Sequence, residues 1–123
     1  MEKIKKLENT IQREDNLNYI EYDDTVSHGN GRHNYYIKKV GTGELLGELH
    51  FQDGGRNTPG VRDGVLDENL LEIVRHRLQC FQAGEFPSRE GACAITHIEE
   101  ALMWLNKRKE DRKYRGVLGK DEK

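Results

Sequence analysis

Cysteine is scarce. The chain holds two, Cys80 and Cys93, too few for a disulfide framework and in keeping with a reduced, cytosolic protein. Long apolar runs are missing too. No stretch approaches the roughly 18 residues that a membrane span requires, and the opening MEKIKKLENTIQRED lacks the continuous apolar centre of a signal peptide. Nor does one sign of charge dominate: the formal net charge is −2, which argues against bulk binding to long polyanions. Metal-ligating residues lack the spacing of a closed zinc site. His28 and His33 share a turn, His50 and His76 stand alone, and His97 has Glu100 three residues on. Catalytic sets are equally wanting: Cys80 has no evident histidine-and-acid partners, and no two carboxylates form an acid/base couple. The expectation is a binding protein, not an enzyme, with no metal and no cofactor.

What is there is uneven. Hydrophobic residues make up 34% of the chain and charged residues another 34%, a thin core for a self-sufficient monomer, so self-association is expected. Residues 107–123 carry eight Lys/Arg against four Asp/Glu, whereas residues 1–106 carry twelve against eighteen. Basic character therefore collects at the C-terminal end.

The pattern predicts an α+β fold: a small N-terminal antiparallel β-meander, then a C-terminal antiparallel two-helix hairpin. In residues 1–17 the loose spacing of Ile4, Leu7 and Ile11 reads as a short amphipathic helix or a mobile arm. LNYIEYDDTV, NYYIKKV and ELLGELHF read as three strands joined by SHGNGRHN and GTG turns. QDGGRNTPGVRDG breaks the pattern with four glycines and a proline. Helices follow, the first with Asp67 as N-cap and Gly84 as its stop, the second with Ser88 as N-cap, Glu90 in the first turn, an end near Tyr114, and Gly116 beyond it. Residues 1–55 then form the arm and sheet, 56–65 a Gly-rich loop, and 66–123 the hairpin region.

Arg77 is out of place. It falls on the same helical face as Leu70, Val74, Leu78 and Phe81, and a cation there needs an anion. The anion is either a carboxylate on the facing helix, such as Glu90, or a phosphate from outside. Down the second helix, Trp104, Arg108, Arg112 and Arg115 recur. An indole with guanidinium groups a turn away suits a purine and its phosphates; a solvated helix end beside Glu110 and Asp111 is the plainer alternative. RGVLGK favours the former, because Gly116 and Gly119 let backbone N–H groups turn toward a ligand.

HFQ, LLEIVRHRLQCFQAGEF and HIEEALMWLNKRKEDRKYRGVLGK together span His50 to Lys120. They resemble the helical-hairpin domain shared by two kinds of phage anti-defence proteins that soak up nucleotide signals. The motifs RL..FQAG.F, EEAL.WL..R and DR..RGV.G occur in order, and the preceding meander points to the branch of first-type Thoeris anti-defence proteins. The resemblance implies a sponge in the cytoplasm of the infected bacterial host. Its ligand would be a TIR-derived cyclic ADP-ribose isomer (gcADPR), bound without cleavage.

The implied ligand set is Arg77, Phe81, Gln82, Gly91, Arg108, Arg112, Arg115, Gly116 and Val117. Gly91 stands where the family often has an asparagine, and Lys109 and Lys120 where threonines are common. Arg56 and Asn57 line a candidate second site for cyclic oligonucleotides. The rival readings are a single-stranded nucleic-acid binder and a helical interaction module.

Within one hairpin, Phe81 and Arg108 lie roughly 24 Å apart at ~1.5 Å per residue. They can share a pocket only if a second chain packs antiparallel against the first. The expected partner is therefore a second copy, as a dimer or a trimer of dimers.

Overall fold

A computed structural model describes residues 3–12, 17–57 and 59–116, with His28 described by its backbone alone. The elements are strands β1 (Ile4–Lys6), β2 (Asn18–Asp23), β3 (Asn34–Lys39) and β4 (Leu45–His50), then helices α1 (Asp67–Ala83) and α2 (Arg89–Tyr114). The chain divides into two compact units, Met1–Val65 and Leu66–Lys123.

The first unit is an antiparallel sheet in the order β1-β2-β3-β4. Period-two alternation sorts its residues onto two faces. Ile20 opposes Ile37, and Tyr22 opposes Tyr35, which in turn opposes Leu49. These apolar pairs share one face, where the Tyr35 ring meets Phe51 edge-on at 5.6 Å. The other face is amphipathic: Glu21 pairs with Lys38, and Lys6 sits over the Tyr19 ring. The β2–β3 connection bends through two successive left-handed residues, Gly29 and Asn30.

β1 corrects the expectation of a helix or mobile arm for the opening residues. Strand pairing wins because the helical pattern there has nothing to bury: Ile11 is 91% exposed. The strand instead gains backbone bonds, Leu7 N–H to the Ile20 carbonyl and Asp24 N–H to the Lys3 carbonyl, both 2.8 Å. The meander thus has four strands rather than three.

The Gly-rich loop is closed at its base. Phe51 and Val65 form a parallel bridge, with Gln52 N–H on the Val65 carbonyl and Val65 N–H on the His50 carbonyl. Gly64 is required there, since a Cβ would lie 2.5 Å from the His50 carbonyl oxygen.

In the second unit, the N-cap of α1 is Leu66, not Asp67. The Asn69 carboxamide reaches back and accepts from Leu66 N–H at 2.8 Å, which makes a side-chain cap at 67 unnecessary. Asp67 is the first helical residue, where its charge favours the positive helix end. Gly84 ends α1 without adopting the left-handed conformation. Ser88 caps α2 through its Oγ, which accepts from Gly91 N–H at 2.9 Å. α2 is 26 residues long, about 39 Å at ~1.5 Å per residue. Gly116, at φ 74°, follows its C-cap Arg115.

Three contacts fasten the helices antiparallel. Gln82 binds Ser88 at the turn, Arg75 binds Glu99 midway, and Lys109 Nζ lies 3.6 Å from Glu68 at the open end. No described residue is fully buried in either unit. Among the described residues no helix is long and apolar enough to cross a membrane.

Candidate functional site

α1 carries two strips. Leu71, Arg75, Leu78 and Gln82 face α2 and are half-buried. Ile73, Val74, Arg77 and Phe81 lie about 100° round the helix and are exposed, Ile73 by 63% and Phe81 by 47%. An apolar strip left open on a helix that already buries another is a surface prepared for contact.

Arg77 lies within that open strip. Its guanidinium carbon stands 4.9 Å from the Phe81 ring centroid, a cation–π contact one turn apart. No carboxylate of the described residues pairs with it, and Glu90 does not reach it. The carboxylate of the facing helix goes instead to Arg75, whose Nε and Nη2 both donate to Glu99 Oε2, at 2.9 and 2.7 Å. The helical wheel contained this pairing, since Arg75 falls on the same side as Leu71 and Leu78.

Gln82 and Gly91 meet at the turn. Gln82 Nε2 donates to the Ser88 carbonyl at 2.9 Å, and its Oε1 accepts from Ser88 N–H at 2.8 Å. Both ends of the amide are thereby held by backbone. A Cβ on Gly91 would come 2.9 Å from Gln82 Oε1 and 2.9 Å from Ser88 Oγ. This chain therefore fills, with the Gln82 clip, the space that an asparagine side chain at 91 would need.

On α2, Trp104, Arg108 and Arg115 share a solvent-facing strip, with half-buried Arg112 at its edge. Trp104 is 64% exposed, and no described cation covers its ring. Arg108 has no ion pair among the described residues, whereas Arg115 Nε lies 3.7 Å from Asp111 Oδ2. The Gly116 N–H is occupied by the Lys113 carbonyl at 3.1 Å, so it closes the helix end. Val117, Gly119 and Lys120 lie outside the described residues.

These two groups stand at opposite ends of the hairpin. Lys109 pairs with Glu68, which places Arg108 level with the start of α1. Phe81 is thirteen residues further along α1, or about 20 Å at ~1.5 Å per residue.

Arg56 belongs to the sheet unit. Its Nη2 donates to Gln52 Oε1 and to the Gly64 carbonyl, both at 3.0 Å, and its Nε lies 3.5 Å from Asp63. It braces the loop it sits on, and Asn57 beside it is exposed.

Sequence reasoning missed several polar clusters in this unit. Asp24 Oδ1 accepts from Arg32 Nε and its Oδ2 meets Lys5 Nζ, each at 2.8 Å. Hydrogen bonds and ion pairing with Lys5 and Arg32 hold the Asp24 carboxyl down at about 2. His50 links Asn34 and Glu48, and Asp53 collects Ser27 and His33. Most of these partners lie 8 to 26 residues apart in sequence, so folding of the sheet and its loops brings them together. No group of three or more metal-ligating side chains occurs among the described residues.

Residues 50–110 match the profile described as "Acb2/Tad1, hairpin domain". A protein of Bacillus phage SBSphiJ7, "Thoeris anti-defense 1", is 45% identical over 104 residues, covering 82% of this chain and 70% of the relative's length. That match reaches beyond the helices into the sheet unit, and the chain belongs to the Thoeris anti-defence 1 family of phage proteins.

Proposed function

We propose that the chain is a non-enzymatic sponge that captures the gcADPR signal of Thoeris immunity in the cytoplasm of the infected host and holds it uncleaved. The observation that carries this reading is Arg77. It is an exposed cation on an apolar strip, stacked on Phe81 and unpaired with any described carboxylate. An adenine stacking on Phe81 and a diphosphate beside guanidinium groups would satisfy both.

Phe81 and Arg108 stand about 20 Å apart along one hairpin, so one small nucleotide cannot touch both. A second copy packed head to tail brings the Trp104/Arg108/Arg112/Arg115 strip of one chain to the Arg77/Phe81 strip of the other. Two equivalent pockets result from the two-fold axis. The exposed Ile73 and Val74 give such a pairing its apolar contact. Capture then works by mass action: affinity must exceed that of the effector and release must be slow. Cyclic oligonucleotides would belong to a separate site near Arg56 and Asn57.

Calorimetric titration with gcADPR tests the reading. Wild type binds one ligand per pocket, and Phe81→Ala and Arg112→Ala each lose about 2 kcal/mol or more, as for buried anchors at other interfaces. Equal binding by all three proteins would remove the site assignment. Heating the saturated complex to unfold it releases intact ligand if the protein is a sponge. A cleaved product would make it a hydrolase.

A further inference from the structure

The sequence leaves His76 solitary and Cys80 without partners, but α1 brings them together. They are four residues apart on a solvent-facing strip, with His76 Nε2 3.8 Å from Cys80 Sγ. A tetrahedral zinc ion with bonds of about 2.0–2.1 Å to nitrogen and 2.3 Å to sulfur holds those two atoms roughly 3.6 Å apart. The side chains are thus already near the spacing that a metal would impose. We propose that His76 and Cys80 form a two-ligand site for Zn2+ or a softer thiophilic ion on the outer face of α1.

Several features favour a metal there. Helical i,i+4 spacing is the usual way a single helix offers two ligands to one ion. Both side chains are exposed, so the ion reaches them without unfolding. Glu72 lies one turn before His76 on the same strip and adds a negative charge, although it also approaches Arg75 Nη1 at 3.7 Å. Of the two arginines flanking His76 in sequence, Arg75 is engaged by Glu99 and Arg77 stacks on the Phe81 ring. On binding, Cys80 gives up its thiol proton to solvent and coordinates as thiolate, while His76 coordinates as neutral imidazole. Water completes the coordination sphere. The site borders the Arg77/Phe81 strip, since Cys80 lies two turns on from Ile73, but the proposal does not depend on the sponge reading.

Co2+ is a suitable probe, because a thiolate ligand gives it a charge-transfer absorption. The reduced full-length protein is titrated with Co2+ and the ion is then displaced with Zn2+. Wild type and Cys93→Ser develop the band, and Cys80→Ser does not. His76→Ala weakens binding at least as much as the roughly ten- to hundredfold that loss of an outer-sphere partner costs. Cys80→His keeps the affinity but loses the charge transfer, which separates loss of a ligand from loss of fold. A wild type without the band, a Cys80→Ser protein that keeps it, or a His76→Ala protein that binds as wild type would overturn the proposal.

Discussion

Two arginines two residues apart do different work. Arg75 faces α2 and donates twice to Glu99, whereas Arg77 faces outward over Phe81. The Arg75–Glu99 pair is about one-third exposed on each side, so its worth is near that of a good surface pair. Arg75→Ala should cost about 1 kcal/mol of stability and leave ligand capture intact. Arg77→Ala should do the reverse, changing the urea midpoint little and weakening the calorimetric signal for gcADPR. If Arg77→Ala destabilises the chain as much as Arg75→Ala, the outward side chain is structural. Gly91→Asn sets stability against family pattern. Its Cβ would meet the Gln82 and Ser88 oxygens at 2.9 Å. The Gln82 amide must therefore swing aside and give up its two bonds to the Ser88 backbone, at a cost of about 1–2 kcal/mol measurable by thermal unfolding.

At the scale of elements, β1 is held by its pairing with β2 and by one side-chain staple. Lys5 reaches Asp24, which also holds Arg32 beyond the β2–β3 turn, so one carboxylate joins a strand to a turn. Its folded pKa is about 2 against an ordinary 3.8. A depressed carboxyl stabilises the fold above its unfolded pKa, and that contribution fades as the pH falls from about 3.8 toward about 2. Asp24→Asn should remove this part of the acid transition. The variant would begin less stable at neutral pH and lose less between pH 4 and 2 than wild type does, as followed by circular dichroism. An unchanged acid profile would mean that the staple contributes nothing. The same strand marks where sequence legibility stopped. β2, β3 and β4 announce themselves through Tyr19, Ile20, Tyr35 and Leu49 at strand spacing, and Ser88 and Gly116 mark the limits of α2. β1 has only three residues, two of them lysines, and exists because β2 offers it a pairing edge. Arg77 and Phe81 were legible because both sit on one helix at fixed spacing. Asp24 with Arg32, or Gln82 with Ser88, depends on side chains folding back across turns, which periodicity does not encode.

For the whole molecule, the governing fact is how little is buried among the described residues. Val74 is 47% exposed and Ile73 63%, on a helix whose other side already meets α2. Each such side chain, if fully buried, contributes about 1.5–3 kcal/mol, so two copies pairing through this strip gain apolar burial that the lone hairpin lacks. Wild type should therefore sediment as a dimer or larger species. Val74→Lys places a charge in the middle of the strip without touching the Arg75–Glu99 or Gln82–Ser88 contacts of its own hairpin, and a cation cannot neutralise Arg77 one turn on. The variant should keep its helicity, sediment as a monomer, and lose gcADPR capture although Phe81, Arg77 and the α2 arginines are all intact. That joint loss distinguishes a pocket shared between chains from one built within a chain. A monomeric Val74→Lys protein that still binds gcADPR like wild type would place the whole pocket within a single subunit and end the two-chain reading.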